Sequence, residues 1–341
     1  MKTAWVTGKR KIELIDKEYK KPAGNEVVVK TKACGICGTD LHFYNHYPGN
    51  KPIPLGHEVA GSVYEIGNDI TDIKPGDNVV IQNHVPCGKC YSCLQGDLSH
   101  CRDIQTYMND CSGMADFIKV KRSMIIHFSD LNYIEAVLAE PLTVALDITN
   151  EARIKPFQNV CISGPGIIGL FCTKLSQLGG AQNIIILGRR FHTERGKRRI
   201  EAARLLGATM AFDTDKTEWK DEMQNKFPDG IERIIVTSPP QTIPDMFDIA
   251  SFGAIVAFNG ISFREANITF NANEFHFKKL KLIASHAIPN RGFPLALKLL
   301  SQKFIKHETL VTHVFPFEKI GDAFSVANSK NEGIIKLVIT F

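Results

Sequence analysis

The sequence predicts an α/β protein in two parts, one built of short strands and turns, the other a parallel sheet wound with helices. Three observations predict it. The chain has 341 residues, which at roughly 150 residues per domain makes about two domains. Short β-branched runs broken by Gly and Pro fill the chain up to residue 150, the texture of a small barrel or sandwich. From residue 155 onward, strand-like runs alternate with helical ones, which predicts βαβ units.

Each element has a local reason. Glu26–Ala33 carries three consecutive valines and reads as a strand, as does Val59–Gly67. Lys74-Pro-Gly-Asp77 is a turn, with Pro75 presetting φ and Gly76 accepting a positive one. Asn78–Ile81 follows as a strand. In the second part, Asn159–Ser163, Asn183–Leu187, Thr209–Phe212, Ile231–Val236 and Gly253–Asn259 are strand-like. Ile167–Leu178 is helical, and another helix ends near Leu206-Gly207. Helical patterns at Phe293–Gln302 and Phe317–Ala327, then a strand at Ile334–Phe341, close the chain.

Composition excludes several classes. Lys plus Arg is 41 against 36 for Asp plus Glu, a net charge of +5, too mild to indicate a nucleic-acid binder. Hydrophobic residues are 44% and charged residues 23%, which permits a large core. No apolar run approaches the ~18 residues of a membrane span. Met1–Lys11 lacks the apolar stretch of a secretory signal. The expectation is a cytoplasmic protein whose nine cysteines stay reduced, with metal as the reason for their clustering.

Cys87, Cys90, Cys93 and Cys101 read C-x2-C-x2-C-x7-C. Four thiolates so close in sequence can meet around one Zn²⁺ and leave no position open, the pattern of a structural site. A redox pair would leave two thiols unexplained. A nucleic-acid zinc ribbon would want its CxxC pairs ~15–20 residues apart.

Gly35-Ile-Cys-Gly-Thr-Asp-Leu-His42 and Gly56-His-Glu58 offer a different ligand set: Cys37, His57 and Glu58. Mixed thiolate, imidazole and carboxylate ligands with room for water suit a catalytic zinc. Glu140, in Ala139-Glu-Pro-Leu142, is a fourth candidate, as ligand or as partner of the bound water. Taken singly these residues are weak signals: Cys34-x2-Cys37 could be a redox pair, and a lone histidine is usually core or surface.

Gly164-Pro-Gly-Ile-Ile-Gly169 follows a strand and opens a helix, as a dinucleotide-binding loop does. Gly164 makes the turn, Gly166 lets pyrophosphate approach, and Gly169 packs helix on strand, with Ile167 and Ile168 opening the helix at the phosphates. The next strand should end in an acid for the adenosine ribose. Here Gly188 stands in its place and Arg189 and Arg190 follow, which suits a ribose 2′-phosphate and favours NADP over NAD. The basic run continues through Arg195, Lys197, Arg198 and Arg199.

Gly35-Ile-Cys-Gly-Thr-Asp40, Gly56-His-Glu58, the four-cysteine lobe and Glu140-Pro-Leu142 occur in this order. So arranged, the chain resembles the medium-chain zinc-dependent alcohol dehydrogenase family along essentially its whole length. Glu58 and Glu140-Pro-Leu142 are similar to its polyol branch, which includes sorbitol, galactitol-phosphate, idonate and threonine dehydrogenases. The resemblance implies a GroES-like β-barrel catalytic domain, residues 1–152 plus 288–341, with an inserted Rossmann domain, residues 153–287.

It also implies roles. Cys37, His57 and Glu58 become catalytic zinc ligands or near-ligands, and Glu140 a ligand or the holder of the zinc water. Thr39 matches the hydroxyl that takes the substrate proton, and His42 the histidine that relays it to solvent. Asp40 supports the site without ligating. Zinc lowers the pKa of bound water from 15.7 to roughly 7, and an alcohol responds in the same sense. The family's substrate pocket lies between the domains, with Tyr44, His46, His286, Asn290 and Arg291 as candidate lining. The segment from Gly188 to Gly207 is longer than the family pattern.

The function implied is oxidation of a secondary alcohol of a polyol, sugar alcohol or sugar acid to a ketone, by hydride transfer to NAD(P). The enzyme would carry one catalytic and one structural zinc and form a homo-oligomer, dimer or tetramer, with no nucleic-acid or membrane partner. Two alternatives stand beside it. A zinc-free quinone or enoyl reductase would lack the four-cysteine lobe and the Cys37/His57 pair. A non-enzymatic nucleic-acid or scaffold protein would have only the basic run 189–199 in its favour.

Overall fold

The computed structural model describes residues 1–109, 111–263, 265–289, 291–329 and 332–341. The chain divides into two compact units, Met1–Thr143 with Ile288–Phe341, and Val144–Ala287. The first boundary, read from the sequence at residue 152, falls at Thr143 in the structure, inside a helix, Ala139–Ala152, that the sequence reading had not marked.

The first unit is organised by the strand Glu26–Gly35. Its valines are buried, and it pairs antiparallel with three strands. Glu58–Ile66 sets Glu58 opposite Gly35, Lys336–Thr340 sets Val338 opposite Gly35, and Phe117–Lys121 pairs with its amino-terminal half. Asn78–Ile81 then pairs with Glu58–Ile66, as the turn at Lys74–Asp77 allows, with Gly76 at φ +95°. A seven-stranded sheet results, and Val27, Val29, Val59, Val79, Ile81, Ile118 and Leu337 pack its core. The ladder brings the two ends of the chain together, because the closing strand runs beside a strand near its start.

The second unit is a six-stranded parallel sheet. Its spatial order is Met210–Asp213, Asn183–Gly188, Asn159–Ser163, Ile231–Val236, Ala250–Phe258, Lys281–Ala284. In chain order this is 3-2-1-4-5-6, the arrangement of the dinucleotide-binding fold. Strands covered on both faces should be continuously apolar, and Ile184–Ile186 and Ile234–Val236 are buried throughout. The order reverses between Asn159–Ser163 and Ile231–Val236, the switch point at whose carboxyl ends folds of this order bind ligands. Among the described residues no helix is long and apolar enough to cross a membrane.

Candidate active site

Cys37 caps the amino end of the helix Gly38–Asn45. The carboxylate of Asp40, one turn on, accepts the Cys37 amide at 2.8 Å with one oxygen and the Gly56 amide at 2.9 Å with the other. One buried side chain therefore ties together the two segments that carry the ligands. Gly56 has φ +82°, and a Cβ there would stand 2.7 Å from the Cys34 sulfur and 2.8 Å from Met114. Only glycine turns the chain so tightly at that point. Ligand atoms of Cys37, His57 and Glu58 thus lie within 4.8 Å of one another.

The charges of this cluster call for a cation. Burial opposes a charge on His57, but the Cys37 sulfur and the Asp40 and Glu140 carboxylates push its pKa well above the usual imidazole value. His57 Nδ1 is buried with no hydrogen-bond partner. Soft sulfur, imidazole and carboxylate donors, with one ring nitrogen unpaired, fit a zinc ion.

Glu140, in the first turn of Ala139–Ala152, stands outside the three-residue set. Its Oε1 accepts from the Asn83 amide at 3.3 Å. Burial first, and the nearby charge of Glu58, push its pKa up to about 7. Glu58 forms a buried ion pair with Lys336, whose ammonium also donates to the Ile36 carbonyl at 2.9 Å.

Thr39 Oγ1 lies 3.9 Å from the Cys37 sulfur. His42, three residues on along the same helix face, stacks on the exposed His46 with ring centroids 4.8 Å apart. Burial, helped by His46, lowers the His42 pKa, so its ring is a neutral acceptor at pH 7. Tyr44 departs from its expected place in the substrate pocket: it packs in the core against Phe324, centroids 5.3 Å apart. His286 and Arg291 are exposed, and Asn290 lies outside the described residues.

The four lobe cysteines also have their sulfurs within 4.8 Å of one another. Ligands 2.3 Å from a common tetrahedral centre stand about 3.8 Å apart. The separations Cys90–Cys93, 3.5 Å, and Cys90–Cys101, 3.9 Å, match that edge. Backbone amides of Cys87 and Cys90 point at the sulfurs of Cys101 and Cys87 at 3.3 Å. Such donors favour thiolates, and backbone hydrogen bonds from Cys93 and Arg102 lower the Cys90 pKa to about 6. Burial, with Cys90 beside it, pushes Cys93 up to about 12.

In the second unit, Gly164 has φ +101°, and a Cβ there would stand 2.8 Å from the Ser238 nitrogen. A Cβ on Gly169 would overlap the Gly164 carbonyl, while the space at Gly166 is open. Gly166 caps the helix Ile167–Leu178, so Ile167 and Ile168 form the turn whose amides face that space.

At the end of Asn183–Gly188, a Cβ on Gly188 would stand 2.7 Å from the Phe191 ring and 2.9 Å from Pro165. Packing alone excludes an acid there. Asp215 holds Arg189 Nε at 2.6 Å and the Arg190 amide at 2.9 Å, and Asp213 takes the Phe191 amide at 3.0 Å. The acids of the neighbouring strand end therefore fold the arginine loop.

Sequence reasoning did not find Lys336 or Asn83, which meet Glu58 and Glu140 from distant parts of the sequence and leave no local signal.

Two family models match consecutive stretches of the chain. Residues 23–130 match an alcohol dehydrogenase GroES-like domain, and residues 168–302 match a zinc-binding dehydrogenase. L-Galactonate-5-dehydrogenase of Escherichia coli K12 is 26% identical over 328 residues, covering 94% of this chain and 93% of its own. Sorbitol dehydrogenase of Bacillus subtilis 168 is 26% identical over 325 residues, covering 92% and 90%. Among solved structures, the alcohol dehydrogenase RspB of E. coli CFT073, complexed with NADH, superposes with a TM-score of 0.89 at 26% identity over 100% of this chain and 99% of its own. A Sinorhizobium meliloti 1021 protein put forward as a zinc-binding dehydrogenase, bound to NADP, gives 0.88 at 25% identity with the same coverage.

Proposed function

The chain belongs to the medium-chain zinc-dependent alcohol dehydrogenase family, and we propose that it oxidises a secondary alcohol of a polyol, sugar alcohol or sugar acid to the ketone, with NADP as hydride acceptor. The observation that carries this reading is the Cys37–His57–Glu58 set, held together by the two hydrogen bonds of Asp40. The names of its relatives, a galactonate and a sorbitol dehydrogenase, support the substrate class.

Cys37 and His57 would hold the catalytic zinc, with Glu58 as a ligand or near-ligand and Glu140 as a further ligand or the holder of the zinc water. A zinc held there would supply the Lewis acidity that makes a bound hydroxyl easier to deprotonate. The residues of the chain do the rest. Thr39 takes the hydroxyl proton and His42, neutral at pH 7, passes it to solvent beside His46. With a nicotinamide bound, the carbon's hydrogen would leave to it with its electron pair, so the alcohol would lose one hydride and one proton. Gly164, Gly166 and Gly169 seat the pyrophosphate at the helix opened by Ile167 and Ile168.

Cys87, Cys90, Cys93 and Cys101 would hold a second, structural zinc. The lack of an acid at Gly188 and the exposed guanidinium groups of Arg189, paired with Asp215, and of Arg190 support NADP. Phe252 and Phe277, 77% and 70% exposed, support a homo-oligomer. The test is turnover of a panel of polyols and sugar acids by the zinc-loaded protein with NADP⁺ and NAD⁺. Turnover of a secondary alcohol in the panel, lost in Cys37→Ser, is the expected result. Failure of every member with both cofactors would end the reading.

A further inference from the structure

His42 and His46 stand one turn apart on the helix Gly38–Asn45, which His46 caps at its carboxyl end. The His46 amide donates to the His42 carbonyl at 2.8 Å, so the helical spacing holds through that last residue. Residues at i and i+4 share a face, and two histidines so spaced are how a zinc-binding helix presents its imidazoles. The rings already lie together, with centroids 4.8 Å apart and planes 21° from parallel.

His46 Nδ1 is 3.3 Å from the His42 carbonyl oxygen. A carbonyl only accepts, so this contact places the ring proton on Nδ1 and the lone pair on Nε2. Metal-binding histidines are held in this way, one nitrogen donating to a backbone carbonyl and the other turned to the ion. His42 is neutral at pH 7 as well, because burial, then His46, lower its pKa. The helix also ends here, and the carbonyls of a last turn favour a cation. Nitrogens about 2 Å from a tetrahedral ion stand about 3.3 Å apart. The exposed His46 reaches that spacing by tilting its ring edge toward His42, a motion that surface side chains make within nanoseconds.

We propose that His42 and His46 form a metal site, apart from the two zinc sites above, that takes a divalent transition-metal ion such as Zn²⁺ reversibly and shuts the proton relay. Imidazole nitrogens suit zinc, copper and nickel, whereas Mg²⁺ and Ca²⁺ want oxygen. Two protein ligands, with water completing the shell, bind far more weakly than four thiolates, so the ion exchanges and dialysis removes it. An imidazole nitrogen that carries a metal has no lone pair for a proton, and the other nitrogen keeps its hydrogen. The ion thus inhibits without touching the catalytic set. The binding stands on the two rings alone, while the inhibition rests on His42 as the relay of the proposed reaction.

The test uses zinc-loaded protein dialysed free of excess metal, as wild type, as His46→Gln and, for comparison, as His276→Gln at an exposed histidine of the other unit. Zn²⁺ is titrated by calorimetry and, over the same concentrations, into the turnover assay, each protein being read against its own rate before addition. The other two sites already hold zinc, so exchange there is silent. Wild type and H276Q should take one further ion and lose turnover in step with it. In H46Q the midpoints of binding and of inhibition should rise at least roughly ten-fold. Removing a group that only orients a ligand already costs about 10–100-fold in affinity, and here a ligand itself goes. No further ion in wild type, or the same affinity in H46Q, would overturn the site. Inhibition that survives H46Q would put the effect elsewhere and overturn the lock on the relay. A further ion, lost in H46Q, that leaves wild-type turnover intact would overturn the inhibitory role and the relay by His42, with the substrate reading untouched. Without turnover on any panel member the proposed function falls and the inhibition with it, while the calorimetric arm still decides the ion.

Discussion

Lys336 and Glu58 form an ion pair with both side chains sealed from solvent, 2% and 1% exposed. Gly35 makes room for it: a Cβ there would overlap the Glu58 carboxylate and stand 2.9 Å from Lys336 Cε. Glu58 therefore has two claimants, the ammonium and the metal its neighbours are arranged to hold. A permanent cation beside the ligand set offsets one of its negative charges without occupying a ligand position.

Lys336→Met should be strongly destabilising, because it strands a buried carboxylate. Breaking such a pair by removing one partner costs about 3–5 kcal/mol. Urea unfolding of the metal-free protein should show it. Lys336→Met with Glu58→Gln removes the stranded charge and should recover most of the loss. A double variant as unstable as the single one would mean that Lys336 acts by packing, not by charge.

The lobe cysteines should bind one zinc independently of the catalytic set. Zinc analysis of the wild type should give two ions per chain. Cys90→Ser should give one, with a lowered Tm, since a structural zinc contributes folding energy outright. Cys37→Ser should also give one, with Tm nearly unchanged and turnover abolished. Equal zinc loss in both variants without a difference in Tm would refute the division into structural and catalytic sites.

Gly188 should resist conversion to the acid that NAD-dependent relatives of the fold use. An aspartate there collides with Phe191 and Pro165, so Gly188→Asp should lower Tm and fail to create a good NAD enzyme. Arg190, exposed and next to the loop, is the better handle on specificity. Arg190→Ala should reduce kcat/KM for NADP⁺ roughly ten-fold, the loss of one charge-assisted bond, and leave NAD⁺ nearly untouched. A higher kcat/KM with NAD⁺ than with NADP⁺ in the wild type would remove the 2′-phosphate from this site.

What the sequence made legible follows the range of each interaction. The helix Ile167–Leu178 and the strands Asn159–Ser163 and Ile231–Val236 lie where periodicity put them, because their signals are local. The helix Ala139–Ala152 was illegible: Pro141 and the β-branched Thr143, Val144, Ile148 and Thr149 mask it, although proline is tolerated in a first turn. The ligand segments announce themselves because cysteine, histidine and glycine types recur at fixed short spacings. Lys336 does not, because it meets Glu58 across 278 residues of sequence through the register of two ladders. Asn83 is silent too, because it meets Glu140 across 57 residues of sequence. The arginines were visible, but Asp215, which holds Arg189, lies two residues past the end of another strand.

Glu135 should make the first unit sensitive to acid. Its carboxylate accepts Lys303 Nζ at 2.5 Å and the Asn132 amide at 3.0 Å, and His307 Nδ1 lies 3.4 Å away. Burial works to raise its pKa, but Lys303, the capping amide and His307 outweigh it and hold the carboxyl below its usual value. The sign follows. A group whose folded pKa is depressed stabilises the fold above the unfolded value, near 4.5, and that contribution fades as pH falls through the folded value. Urea midpoints should therefore drop between pH 5 and pH 3 in the wild type. In Glu135→Gln the drop should be shallower and the stability at pH 7 lower by about 1 kcal/mol, since Lys303 is half exposed and its bond is screened. Parallel pH curves for the two proteins would show that the acid limb comes from other carboxylates.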